Sequence, residues 1–200
     1  MTDRQPTARG GTARGGTTGG GITADGITAG GGITAGGSTA GRARIRALGQ
    51  PGDLGWVVMA HGEVYAAEYG WDTSFEALVA RIVADYAGEH DPAREAAWIA
   101  ERDGQRVGCV FCVAADETTA QLRILLLHPS ARGQGLGARL VDECLAFARR
   151  AGYQRMRLWT NHPLAAARHV YLSRGFTLAE AEPHHSYGAD LIGQIYELAL

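Results

Sequence analysis

Residues 122–137 read Leu-Arg-Ile-Leu-Leu-Leu-His-Pro-Ser-Ala-Arg-Gly-Gln-Gly-Leu-Gly. An apolar strand there feeds straight into a glycine-dense turn that opens a helix, and few folds accommodate that succession. With no Cβ at Gly133, Gly135 and Gly137, the backbone can take unusual φ/ψ values and turn its N–H groups toward an anion at close range. The helix that follows adds the positive end of its dipole. Arg132, at the head of the turn, supplies a cation with a fork of donors. Arg132, Gly133, Gln134, Gly135, Leu136, Gly137 and Ala138 therefore read as a phosphate-holding loop, suited to the polyphosphate of a nucleotide-type cofactor.

Three kinds of phosphate loop compete for this segment. A nucleotide triphosphatase loop closes on Gly-Lys-Ser or Gly-Lys-Thr, whose lysine and hydroxyl hold the terminal phosphates and magnesium. This loop ends Gly137-Ala138-Arg139, which removes that reading. A dinucleotide fingerprint needs a strand running directly into its first glycine and an acid roughly 20 residues on. Pro129 interrupts the approach, and Arg157-Leu158-Trp159-Thr160 offers no acid. What remains is Arg-x-x-Gly-x-Gly, filled by Arg132, Gly135 and Gly137 after a strand that ends in His128-Pro129. It resembles the pyrophosphate loop of the GNAT family of N-acetyltransferases, which bind acetyl-coenzyme A.

The rest of that family's layout follows in order. Leu136, Leu140, Cys144, Phe147 and Ala148 recur at helical spacing, and Gly152 is placed to stop the helix. A short strand over 155–160 comes next, and Asn161-His162-Pro163 reads as the start of a second helix that ends at Gly175. Its last turn, Tyr171-Leu172-Ser173-Arg174-Gly175-Phe176, is similar to the family's Tyr-x-x-x-Gly-Phe signature. Upstream, 44–48 suits a strand, Asp53 suits a helix cap, and Phe75, Leu78, Val79, Ile82 and Tyr86 mark one face of a second helix. Strands are expected over 97–102, 106–114 and 120–128, with Asp103-Gly104 as a tight hairpin turn, and again over 176–181 and 191–198. The order is β-α-α-β-β-β-α-β-α-β-β. The resemblance, over residues 42–200, implies an α/β fold of the GNAT type: a mixed, mostly antiparallel sheet of about seven strands flanked by about four helices.

It also implies how the site works. Leu125, Leu126 and Leu127 match the strand segment whose free backbone pairs with the pantetheine arm, and one of those N–H groups can polarise the thioester carbonyl. Tyr171 matches the family's general acid for the departing thiolate. The base is open. The glutamate of the branch that acetylates protein N-termini falls on Trp159, and the usual asparagine ahead of the second helix falls on Leu164, three residues from Asn161. Glu101, His128, His184 and His185 are the candidates, with a water chain as the alternative. The implied activity is transfer of acetyl from acetyl-CoA, as co-substrate, to a primary amine of a small molecule or protein. The competing class is a non-catalytic acyl-CoA sensor.

Net charge of −2 and a pI near 6.4 leave no strong footprint for nucleic acid or an anionic membrane, and no stretch approaches the ~20 apolar residues of a membrane span. A soluble, cytoplasmic protein is expected, with an amine acceptor as partner and a second copy of the chain as a further candidate. Residues 1–41 are another material: Gly-Ile-Thr-Ala recurs at Gly21, Gly26 and Gly32 with no aromatic residue nearby, so a disordered tail or an over-extended translation start is expected. Cys109 and Cys112 match Cys-x-x-Cys, but in a strand they point to opposite faces, which suits neither a redox motif nor zinc. No metal is expected. Gly52-Asp53-Leu54-Gly55-Trp56, Tyr69-Gly70-Trp71 and Glu182-Pro183-His184-His185-Ser186 resemble the acetyltransferase half of MarR-type regulator–acetyltransferase fusions.

Overall fold

A computed structural model describes residues 43–200. The tail expected over 1–41 lies outside them. In chain order the elements are β1 (Arg44–Ala47), α1 (Asp53–Tyr69), α2 (Thr73–Glu89), β2 (Ala96–Arg102), β3 (Gln105–Ala114), β4 (Thr119–Leu127), a 3-10 turn (Pro129–Ala131), α3 (Leu136–Arg150), β5 (Arg155–Asn161), α4 (Ala165–Ser173), β6 (Thr177–Ser186) and β7 (Ala189–Ala199). The strands form one sheet in the order β1-β2-β3-β4-β5-β7-β6. Every neighbouring pair is antiparallel except β4 with β5.

Alternation along the strands divides the core in two. Ala100, Val110, Cys112 and Leu122 pack with Leu136, Leu140 and Cys144 of α3 and Tyr171 of α4. Ala97, Ile99, Cys109 and Phe111 face the other way, against Val57 and Val64 of α1 and Phe75 and Val79 of α2. Cys109 and Cys112 do point to opposite faces, and all three cysteines are free and buried. The hairpin turn at Asp103-Gly104 takes positive φ at both residues, 52° and 76°, and Tyr187-Gly188 does the same at 58° and 75°. Both match the type I′ geometry that suits the twist of paired strands.

Register slips at three places in the sheet, and the one in β4 shapes the site. Cys109 pairs with Leu126 and Phe111 with Arg123, so Ile124 and Leu125 together oppose a single residue of β3. Ile124 carries the extra residue at φ 41°, a left-handed conformation that costs a side-chain-bearing residue about 1–2 kcal/mol. Beyond this bulge the parity reverses: Leu125 and Leu127 now join the α3 side and Leu126 the α1–α2 side.

Three local expectations need correction. Asp53 is not a cap. Gly52, at φ 86°, occupies the cap position, and the Asp53 carboxylate is fully buried, accepting from Arg46 at 2.7 and 2.9 Å, from Arg106 at 2.7 Å and from the N–H groups of Gly49 and Gln50. The second late helix starts at Ala165 rather than at Asn161-His162-Pro163, because β5 keeps pairing with β7 as far as Asn161 and Gly193. The strand expected over 176–181 extends to Ser186, with Pro183 tolerated because β6 is the sheet edge.

Arg46 bridges Asp53 to Glu101, whose carboxylate also holds Arg44, so one ion network ties β1 to β2, β3 and the start of α1. The Arg46 guanidinium, against the opposing effect of burial and with help from Arg106, holds Asp53 well below the ordinary carboxylate range. For Glu101, burial works upward but the hydrogen bonds from Arg46 and Arg44 outweigh it, so its pKa also falls. With both folded-state values depressed, the stabilisation is present above the ordinary carboxylate pKa and is lost as pH falls below about 4. Asp53→Asn, which takes the only carboxylate from Arg106 and one of two from Arg46, is expected to cost about 3 kcal/mol in chemical denaturation at neutral pH and to flatten the acid limb of the stability profile.

Candidate active site

The glycine turn is defined by what its amides lack. The N–H of Arg132 donates to Pro129, and the N–H of Arg139 donates to Gly135. Between them, the six N–H groups of Gly133, Gln134, Gly135, Leu136, Gly137 and Ala138 have no acceptor among the described residues. Gly133 and Gly135 stand at φ 77° and 69°, with nothing within 4 Å of where a Cβ would be, so the approach to these donors is open. Leu136 turns its side chain into the core and contributes only backbone. A row of unpaired donors at a helix N-terminus fits a diphosphate. Arg132 is split between two duties: its Nε donates to the Leu127 carbonyl at 3.1 Å, and its Nη1 pairs with Glu68 of α1 at 2.7 Å.

Beside the turn the sheet comes apart. β4 and β5 pair only from Thr119 with Arg155 to Leu122 with Leu158. After that β4 stays with β3 and β5 stays with β7, leaving a wedge between them. The N–H of His128 donates to Val107 of β3, so by alternation the N–H of Leu127 faces the wedge. This edge of β4 is free backbone, able to pair with an extended amide-bearing chain as a further strand would.

Tyr171 is 4% exposed and lies in the core cluster against which Leu125 and Leu127 pack, so the structure brings the proposed acid to the same side of the sheet as those two residues. Burial holds its phenol far above its usual pKa, with the Tyr65 hydroxyl adding to the shift, so the proton stays on. Its hydroxyl has no hydrogen-bond partner among the described residues.

The base candidates are scattered. Glu101 sits in the arginine network at the outer strands. His128 is exposed at the mouth of the glycine turn, its Nδ1 2.8 Å from the Ser130 hydroxyl. His185 pairs with Asp190 at 2.7 Å on the surface. His184 alone belongs to a built arrangement: Nε2 lies 2.9 Å from Asn161 Oδ1 and Nδ1 3.0 Å from Ser186 Oγ, with the Trp159 ring centred 5.6 Å away. An Asn161 carbonyl acceptor leaves Nε2 carrying the proton and Nδ1 basic. Gly193 makes this possible, since a Cβ there would come within 3.0 Å of Trp159 Nε1 and 3.3 Å of His184 Cδ2. Sequence reasoning missed Asn161 and Ser186 as partners of His184. Register between β5, β7 and β6 is what joins them, and that is invisible in a linear spacing.

The aromatic residues around the α1–α2 junction hold the helices together. Trp71 is 4% exposed, with ring centroids at 5.1 Å from Tyr65, 4.7 Å from Phe75 and 5.0 Å from Tyr187, and so locks α1 and α2 to the β6–β7 turn. Among the described residues no three His, Cys, Asp or Glu side chains gather as metal ligands.

This fold and site belong to a known class: the chain is a member of the acetyltransferase (GNAT) family, whose family model matches residues 56–176. It is 33% identical over 86 residues to the mycothiol acetyltransferase of Beutenbergia cavernae, covering 43% of this chain and 28% of that protein. It is 37% identical over 84 residues to the human N-acetyltransferase 8B, covering 40% of this chain and 37% of that one. The chain thus spans well under two thirds of the length of these relatives. In fold it is similar to an acetyltransferase from Salmonella typhimurium solved with its cofactor acetyl-CoA, at a TM-score of 0.65 and 19% identity over 78% of this chain and 93% of that one.

If the glycine turn receives a diphosphate, acetyl-CoA raises the melting temperature, by an amount equivalent to ~2.7 kcal/mol at a hundred times Kd. Gly135→Val, which must carry a β-branched side chain at φ 69°, is expected to lower the ligand-free melting temperature by a few degrees and to abolish the ligand-induced rise. A full rise in that variant would rule out the turn as the diphosphate seat.

Proposed function

We propose that the chain moves an acetyl group from acetyl-CoA to a primary amine of a small molecule or protein by direct transfer, in the cytoplasm. The six unpaired amides that lead onto the free edge of β4 carry this reading. Arg132 to Ala138 would hold the diphosphate, and the backbone of Leu125, Leu126 and Leu127 the pantetheine arm. Acetyl-CoA supplies the activated acyl group when bound. An N–H of the β4 edge polarises the acyl oxygen. Tyr171, kept protonated by its burial, gives its proton to the departing sulfur.

The amine must lose a proton, and we assign that role to His184, the one histidine among the candidates held on both ring nitrogens. Asn161 orients the ring, and the basic Nδ1 faces the Ser186 hydroxyl, through which a proton can pass. Glu101 is a poor candidate beside it, because two guanidinium groups stabilise its charged form and lower its affinity for a proton. In this reading the chain is related to the acetyltransferase half of MarR-type regulator–acetyltransferase fusions, through the three segments that resemble them. A second copy of the chain would find apolar cover at Leu172, Leu178 and Ile192, which are 51%, 50% and 42% exposed.

Acetyl-CoA turnover against a broad panel of amines tests the reading. Tyr171→Phe keeps the ring and removes the donor, so turnover is expected to fall ~10²–10⁴-fold while coenzyme A affinity holds. His184→Gln is expected to lose roughly 10²-fold, again with cofactor binding intact. Tight binding of acetyl-CoA with transfer to none of the amines would favour an acyl-CoA sensor instead.

A further inference from the structure

Trp159 of β5 is 43% exposed and belongs to neither core cluster. Its strand neighbours Leu158 and Thr160 are buried, and Leu158 packs on the α3 side, so alternation turns Trp159 to the opposite face. His184 is on that face as well, because it pairs with Leu191, which packs with residues of α1 and α2. The two rings meet there, their centroids 5.6 Å apart and their planes tilted by 49°.

A lone exposed apolar residue is ordinary, but this one is seated. The indole lies across Gly193 of β7: a Cβ on that glycine would come within 3.0 Å of Nε1 and 3.2 Å of Cζ2. Held against backbone, the ring is a fixed plate. Across β5, β7 and β6, Trp159 pairs with Ile195 and Ile195 with Glu180, while Asn161 pairs with Gly193 and Gly193 with Glu182. Residues paired across strands share a face, so this surface presents an apolar step, Trp159 and half-buried Ile195, rimmed by two exposed carboxylates. The arginines of the same face, Arg155 and Arg157, lie further down β5, with Arg157 opposite Glu197. Carboxylates at the rim attract an ammonium group, and the apolar plate suits the body that carries it.

The place of the plate fits the chemistry. Leu158 is the last β5 residue paired with β4, so Trp159 begins the β5 wall of the wedge at its narrow end. A pantetheine arm that runs from the glycine turn back along Leu127 toward Leu125 carries its acyl group toward that same end. His184, the base in that reading, is the side chain next to the indole. A ring stacked on Trp159 and an amine brought to His184 are separated by a distance close to the 5.6 Å between the two centroids. A ring radius and two carbons, at about 1.5 Å per bond, span it.

We propose that Trp159 is the specificity plate for the acceptor: it stacks on a flat aromatic group, so that the amine acetylated is a primary arylalkylamine with about two carbons between ring and nitrogen. The inference rests on the acetyl-transfer reading above and names its substrate class. In the transfer itself the N–C bond forms as the thioester C–S bond breaks. The nitrogen's proton leaves to the base and the sulfur gains one from the acid, while the ring on Trp159 is unchanged.

A matched set of acceptors tests this: hexylamine, 2-cyclohexylethylamine and 2-phenylethylamine, with acetyl-CoA fixed at saturation. The parent is expected to favour 2-phenylethylamine over hexylamine by about ten-fold in kcat/KM, mainly through KM, as stacking plus burial of one ring warrants. The cyclohexyl compound, as bulky but not flat, is expected to trail the phenyl one. Trp159→Ala is expected to close these gaps, and Trp159→Phe to keep part of them. Equal kcat/KM for the phenyl and cyclohexyl amines in the parent, or a preference that survives Trp159→Ala, overturns the proposal. So does a dimer of the parent that dissociates in Trp159→Ala on sedimentation, since the indole would then belong to an interface. Calorimetric binding of N-(2-phenylethyl)acetamide to the coenzyme A-loaded protein separates the two readings. Trp159-dependent binding without turnover of any amine supports the plate and refutes the enzyme, transfer without preference refutes the plate alone, and neither binding nor turnover refutes both. A melting temperature for each variant confirms that it is folded.

Discussion

The site depends on one extra residue in β4. Without the bulge at Ile124, alternation would carry residue 125 to the α1–α2 side and residue 126 to the α3 side, and the strand would stay in step with its neighbours. With it, Leu125 and Leu127 turn toward Tyr171 while Leu126 plugs the opposite core. The bulge also adds local twist, which swings the end of β4 away from β5. A β-branched residue at φ 41° is an expensive way to make such a bend, and it persists because the packed surroundings over-determine it. The free backbone beyond Leu122 and the turn of Leu125 and Leu127 toward Tyr171 follow from that bulge.

The two faces of the wedge divide the chemistry. On the α3–α4 side the environment is apolar and keeps a phenol protonated, as an acid for a thiolate leaving group requires. On the other side the polar groups are in pairs and chains: Asn161 with His184 and Ser186, and Arg132 with Glu68. The proposed acid and the proposed base thus stand in different surroundings, one apolar and one hydrogen-bonded.

Much of this was legible in the chain. Period-two and helical patterns, with glycine and His-Pro punctuation, located each strand and α-helix of residues 44–199 though not the 3-10 turn at Pro129–Ala131, and the loop and the Tyr171 motif pointed to the family that the family model then matched. What could not be read was whatever depends on pairing across the sheet. Asp53 looks like a cap because aspartate precedes an apolar run; only the arrival of Arg46 and Arg106 from other strands makes it a buried counter-ion. Glu101 looks available for the same reason. Asn161 reads as a helix start until β7 is known to hold it in β5. Local chemistry shows in composition, but a partner fifty residues away does not.

The parallel ladder between β4 and β5 is four residue pairs long. Mechanically the sheet is therefore two stiff plates, one of four strands and one of three, sharing a short seam at one end. Lengthening the seam by even one pair would draw the next residues of β4 toward β5 and flatten the bend at Ile124, and the slot would close like a zipper run past its stop. Shortening it would leave the plates joined by little more than the loops and helices around them. The width of the slot is set at its hinge, by residues that no substrate reaches.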